Sequence, residues 1–164
     1  MKSSTNLIIR EAQPEDCDRI FALINALAAY EKLTHLVTGS PQSLASHLFG
    51  SPRYAEAMVA EIDENIVGFA LYFHNYSTFL TKPGIYLEDI FVLPEKRGCG
   101  IGKAMFEQVA RLAVERGCGR LEWSVLDWNQ PAIDFYIGRG ADVLAEWRIC
   151  RLTGDALVQA AHVA

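Results

Sequence analysis

Residues 89–117 read DIFVLPEKRGCGIGKAMFEQVARLAVERG. An apolar, strand-like run ends at Pro94. Three glycines follow within five residues, at 98, 100 and 102, and a helical period then begins. Met105, Val109, Leu112 and Ala113 fall on one face of that helix, and Gly117 is a natural terminator. Residues without a β-carbon let the chain turn tightly and let a ligand approach the backbone. The first amides of a helix have no partner within it and stand at the positive end of its dipole. With Arg97 and Lys103 at either end, the loop predicts an anion site for a phosphate or pyrophosphate. The same residues also read as a plain turn that starts a helix, since glycine punctuates loops generally.

Two familiar phosphate signatures do not fit. A Walker loop requires Ser or Thr after its lysine, and Lys103 is followed by Ala104. The dinucleotide fingerprint requires a third glycine where Met105 stands, and three strand-like segments precede the loop with no helix between them.

Outward from this stretch, NLIIREA (6–12) predicts a strand and PEDCDRIFALINALAAYEKL (14–33) a helix, with Pro14 in its first turn. Ile20, Leu23, Ile24, Leu27 and Ala28 recur at helical spacing and face the core. SPQSLASHLFG (40–50) predicts a shorter helix capped by Ser40. Strands are predicted over 54–62, 66–76 and 85–93, the first two joined by the turn residues DEN. After the 100–117 helix come a strand at 120–127, a short helix at 129–140 capped by Asn129, and a last strand VLAEWRICRL at 143–152. The tail from Thr153 reads as either frayed helix or coil. Trp128 and Trp147 read as packing residues. One mixed sheet with helices on both faces is the economical arrangement of this α/β chain.

The chain has 164 residues, suited to a single domain over 1–164, and half of it is apolar. A formal charge of -5 with no basic stripe argues against a nucleic-acid partner. The N-terminus shows neither a long apolar run nor a small-residue cleavage site, and IFALINALAAY is too short to span a bilayer, so a cytoplasmic protein with no membrane partner is expected. The cysteines at 17, 99, 118 and 150 form no CxxC pair and the histidines no HxxxH pair, so no metal is expected. The cysteines read as ordinary reduced thiols, with Cys99 open to solvent through its place in the loop.

Arg-x-x-Gly-x-Gly between a strand and a helix resembles the acetyl-coenzyme A signature of the GCN5-related N-acetyltransferase (GNAT) superfamily. YLEDIFVLPEKRGCGIG, VLDWNQPAIDFYIGRGA and LAAYEKL together resemble its diamine (spermidine/spermine) and thialysine acetyltransferase branch, from about Leu7 to Leu152. The resemblance implies a GNAT-like, mostly antiparallel sheet, acetyl-CoA as cofactor, and direct acetyl transfer to a primary amine of a small molecule in a ternary complex. It implies that Arg97, Gly98, Cys99, Gly100, Ile101, Gly102 and Lys103 hold the pyrophosphate. The backbone of Ile90, Phe91 and Val92 pairs with the pantetheine arm like an added strand. Asn129, Gln130, Pro131 and Ala132 flank the cofactor. Tyr136 is the general acid for the departing thiolate, and Glu88 serves the amine as base through water or as anchor. Tyr30 and Glu31 help bind the amine, with Asp127, Glu146 and Glu122 as further acids. A homodimer follows by the same analogy.

Neighbouring strand residues face opposite sides, so of Glu88 and Asp89 one faces the cleft and the other points away. The loop NYSTFLTKPG (75–84) carries no acid, which favours a shorter amine or a thialysine-like amino acid as much as a polyamine. Acetylation of a protein lysine or N-terminus, and a non-catalytic acyl-CoA sensor, are the alternative functions.

Overall fold

A computed structural model describes residues 6–162. The N-terminal segment 1–5, part of the stretch read as lacking a leader, and the last two residues of the tail lie outside the described residues. The chain divides into two compact units with the boundary between Ser124 and Val125.

The first unit contains β1 (Leu7–Glu11), α1 (Cys17–Tyr30), α2 (Pro41–Phe49), β2 (Glu56–Ile62), β3 (Asn65–Ser77), β4 (Lys82–Val92), α3 (Ile101–Glu115) and β5 (Leu121–Glu122). The strands form one sheet in the order β1-β2-β3-β4-β5, antiparallel throughout except for β4 against β5, which is parallel. That parallel step is the one joined by a helix, as a crossover requires.

The sheet is packed on both faces, and the register shows how. Val59, Phe69 and Phe91 are cross-strand partners and join Ile20 and Leu23 of α1 and Leu48 of α2 in one buried cluster. The next row, Ala60, Gly68 and Val92, points the other way. A β-carbon on Gly68 would stand 3.3 Å from Met105 Sδ of α3 and 2.8 Å from the Phe91 carbonyl oxygen. At Gly68, therefore, α3 leaves no room for a side chain on the sheet. Met105 and Val109 of α3 are fully buried there.

Local chemistry fixes the ends of these elements. Ser40 Oγ accepts from the Ser43 amide at 3.1 Å and caps α2, as expected. Arg10 ties the start of the fold to the sheet, donating to Asp16 at 2.7 Å and to Glu61 at 3.0 Å. That guanidinium, helped by the Gln13 amide, holds the Asp16 carboxyl below its usual range.

The second unit contains α4 (Gln130–Ile137) and α5 (Gly154–Ala161). Two expectations fail here and just before it. The strand at 120–127 is regular only at Leu121 and Glu122, and 143–152 forms no strand. Residues 142–152 are exposed throughout and make no ladder, so their alternating pattern has no neighbouring strand to pair with. The tail resolves as helix. Trp128 and Trp147 are 52% and 73% exposed, more than the packing role expected from their size would suggest.

Candidate functional site

The glycine loop follows a single 3-10 turn at Pro94–Lys96. Gly98 and Gly100 adopt φ of +79° and +81°, in the left-handed region that strains any residue with a β-carbon. A β-carbon at either would meet nothing within 4 Å, so both face open space. After Arg97, Ala104 carries the first amide with a backbone acceptor, Gly100 O at 2.9 Å. Among the described residues the amides of 98–103 therefore have no acceptor, and Gly100 brings no side-chain cap to α3. The result is a run of backbone donors at the positive end of a four-turn helix.

The two loop cations behave differently. Lys103 is 58% exposed and only loosely paired, 3.7 Å from Glu107. Arg97 is held down. Its Nε donates to Val92 O at 2.9 Å, and its guanidinium lies 4.5 Å from the Tyr30 ring centre and 5.4 Å from that of Phe91. Arg97 thus clamps the loop to the ends of β4 and α1 through a hydrogen bond and cation–π contacts. Ile101 is buried and offers the site only its backbone. Cys99 is exposed, as expected.

Beside the loop, β4 has a half-open edge. Ile90, Phe91 and Val92 pair with Ala70, Phe69 and Gly68 of β3. On its other side β4 meets β5 only at Ile85 and Tyr86, so from Leu87 onward that edge has no strand partner among the described residues. The side chains of Phe91 and Val92 are buried, which leaves the backbone of this segment as its available surface. An unpaired edge is a template for an extended, amide-bearing ligand.

The acids lie just before that segment. Leu71 pairs with Asp89 and Tyr72 with Leu87, so Glu88 is the extra residue of a β-bulge. Glu88 is exposed and Asp89 half-buried. Asp89 shares the face of Leu71, which packs on the α1–α2 cluster. Burial, then the charges of Glu88 and Glu31, push the Asp89 carboxyl up to about 6. Glu31, at the C-terminal cap of α1, is also raised by burial. Among the described residues Asp89 has no ion pair or hydrogen bond. Tyr30, Glu31, Glu88, Asp89 and Arg97 are thus brought together where α1 ends over β4. Sequence reasoning assigned Glu88 and set Asp89 aside. Two acids in an apolar strand marked the place, but the bulge that divides them between surroundings is visible only in the register.

In the second unit Asn129 caps α4, its Oδ1 accepting from the Ala132 amide at 3.4 Å, with Pro131 in the first turn. Gln130 Nε2 donates to Asp134 at 2.7 Å. Tyr136 is the buried residue of α4, and its ring meets Phe135 edge to face at 5.2 Å. Asp127 and Glu146 are exposed. Glu122 is engaged in the sheet, accepting from Asn75 at 2.7 Å and lying 2.9 Å from Arg120 Nε. Among the described residues no group of three or more His, Cys, Asp or Glu could hold a metal ion. No helix there is long and apolar enough to cross a membrane.

The family model described as "Acetyltransferase (GNAT) family" matches residues 37–140. A thialysine N-epsilon-acetyltransferase of Bos taurus is 41% identical, over 92% of this chain and 95% of its own length. An L-ornithine N5-acetyltransferase of Arabidopsis thaliana is 38% identical, over 91% of this chain and 85% of its own. Among solved structures, an integron cassette protein from the mobile metagenome of V. cholerae matches with a TM-score of 0.79 at 26% identity, over 95% of this chain and 98% of that one. A match across more than half the chain, with relatives alike along nearly their whole lengths, agrees with the glycine loop and half-open strand. The chain is an acetyltransferase and belongs to the GNAT family.

Proposed function

We propose that this enzyme moves the acetyl group of acetyl-CoA to a primary amine of a small molecule, by direct attack in a ternary complex. The observation that carries the reading is the run of acceptor-less amides at 98–103 beside the unpaired edge of β4. The first suits a pyrophosphate and the second suits the amides of pantetheine. When bound, acetyl-CoA supplies an acyl group already activated as a thioester. The relatives named above acetylate amino groups of thialysine and ornithine, which supports an amine acceptor of that size.

In this reading Lys103 and the loop amides bind the pyrophosphate, while Arg97 positions the loop. Ile90, Phe91 and Val92 bind through their backbone, with Asn129 to Ala132 flanking the cofactor. Asp89 and Glu31 draw the substrate ammonium toward β4, with Tyr30 beside them. Glu88, open to solvent, takes the amine proton through water. Tyr136 returns a proton to the departing thiolate. Asp127 and Glu146 add negative charge for the acceptor. The chain works as a single N-acetyltransferase domain over 1–164, in a cytoplasmic homodimer.

Thiol release from acetyl-CoA against a panel of L-ornithine, L-lysine, thialysine, putrescine, spermidine and lysine peptides tests the proposal. Turnover of free amines, with peptides poor, is expected. Tyr136→Phe should lower kcat with little change in affinity for coenzyme A. Turnover of peptides alone would contradict a small-molecule acceptor.

A further inference from the structure

Beyond Asp89, the same sheet face carries a second polar group. Leu71, Phe73 and Asn75 alternate along β3 onto one face, opposite Asp89, Tyr86 and Gly84 of β4. Phe73 and Tyr86 are half-buried and stack at 5.3 Å, their planes 30° apart. The Tyr86 hydroxyl is 2.7 Å from Ser124 Oγ. Next to this aromatic floor, Asn75 and the stem of Arg120 crowd the side of Gly84 on which a β-carbon would stand. Glu122 joins them through Asn75 Nδ2 and Arg120 Nε.

This polar group is incompletely satisfied. Arg120 Nε is close to Glu122, yet its N–H is not aimed at the carboxylate and makes no hydrogen bond, and Asn75 Oδ1 is buried without a partner. Arg120 Nη2 donates to Tyr76 O at 3.2 Å, while Nη1 has no partner among the described residues. Glu122 Oε1 likewise has none. Asn75 Oδ1 and Arg120 Nε are buried without a hydrogen bond, which calls for an explanation, while Nη1 and Oε1 lie on side chains about a third exposed and are open to a ligand. An unengaged guanidinium nitrogen and an unengaged carboxylate oxygen, side by side, are complementary to a carboxylate and an ammonium on one carbon.

We propose that Arg120 and Glu122, with Ser124, bind the α-carboxylate and α-ammonium of an amino-acid acceptor whose side-chain amine is the one acetylated. This rests on the acetyl-transfer reading and on Asp89 receiving the side-chain ammonium. The spacing agrees. Glu122 pairs with Tyr86 in the row of Phe73, two residues along β3 from Leu71 and so about 7 Å from the row of Asp89 at the usual rise, and Arg120 Nε reaches back to within 2.9 Å of Glu122. The extended side chain of a lysine-sized amino acid spans roughly 6–7 Å at ordinary bond lengths. Its methylenes cover the Phe73–Tyr86 stack. A diamine of equal length keeps the ammonium for Glu122 but lacks the carboxylate that Arg120 would hold.

Steady-state thiol release with two matched pairs, L-lysine against cadaverine and L-ornithine against putrescine, tests this, read on whichever pair turns over faster. The wild type should show a higher kcat/KM for the amino acid than for its diamine, and a lower one for the amino-acid amide, which lacks the carboxylate charge. Arg120→Ala should lower the amino-acid-to-diamine ratio about tenfold, the scale of one lost charge-assisted hydrogen bond, and Arg120→Lys should restore part of it. The amide comparison needs no variant and stands if Arg120→Ala fails to fold. Diamines used as well as amino acids by the wild type, or a ratio unmoved by Arg120→Ala, would overturn the subsite while leaving acetyl transfer intact. No thiol release with any amine would remove the acetyl-transfer reading and this subsite with it.

Discussion

Asp89 and Glu88 are neighbours in sequence and meet different surroundings. The bulge leaves Glu88 in water, and Asp89 is half-buried beside Glu31. A carboxyl pushed up to about 6 holds its proton more tightly folded than unfolded. Its ionised form therefore costs stability, a cost absent below the unfolded value near 4 and complete once the pH passes the folded value. Asp89→Asn should accordingly be more stable than the wild type at pH 8, by roughly 2–3 kcal/mol relative to the comparison at pH 4. Urea unfolding at the two pH values measures this. The same substitution should raise KM for the amine, since a cationic acceptor loses its partner. A variant that is less stable at pH 8 than at pH 4, relative to the wild type, would contradict the buried-acid account.

At the scale of elements, the β4–loop–α3 unit was legible from residues 89–117 alone. Pro94, the glycines and the helical period each act locally, and the structure has the strand, turn and helix where they point. β1, β2 and β3 also lie where their apolar runs were read, but the strands expected after α3 were less legible because strands depend on partners. β5 shrinks to two residues and 143–152 pairs with nothing, although both carry β-branched and aromatic residues in a strand-like pattern. The bulge at Glu88 and the capture of Glu122 by Asn75 and Arg120 depend on register, which no local pattern encodes. The α3–sheet contact gives a prediction at this scale. Gly68→Ala puts a β-carbon 2.8 Å from the Phe91 carbonyl oxygen and 3.3 Å from Met105. Overpacking of this kind costs about 1–3 kcal/mol. Chemical denaturation should show that loss, and relief by Met105→Ala in the same chain would identify the helix as the neighbour that gives way.

At the scale of the whole molecule, exposed apolar side chains concentrate in the second unit. Val143, Leu144, Trp147, Ile149 and Leu152 are all more than half exposed. Such a concentration fits the proposed homodimer better than a monomer. Light scattering should give twice the chain mass, and Trp147→Asp should move the protein toward the single-chain mass. A wild-type monomer at high concentration would contradict the dimer. The account of how the loop and β4 hold the cofactor does not depend on that outcome, because the amide run and the open strand edge both belong to the first unit.

The central claim is that an anionic cofactor is held by bare amides where α3 begins. Isothermal calorimetry with coenzyme A, on the wild type and on Gly100→Val, tests it most directly. The wild type should bind one coenzyme A per chain. Gly100→Val forces a β-branched residue into φ near +81° at the mouth of the loop and should weaken binding at least tenfold while the fold survives. No heat with the wild type, or equal affinity in a folded variant, would contradict it.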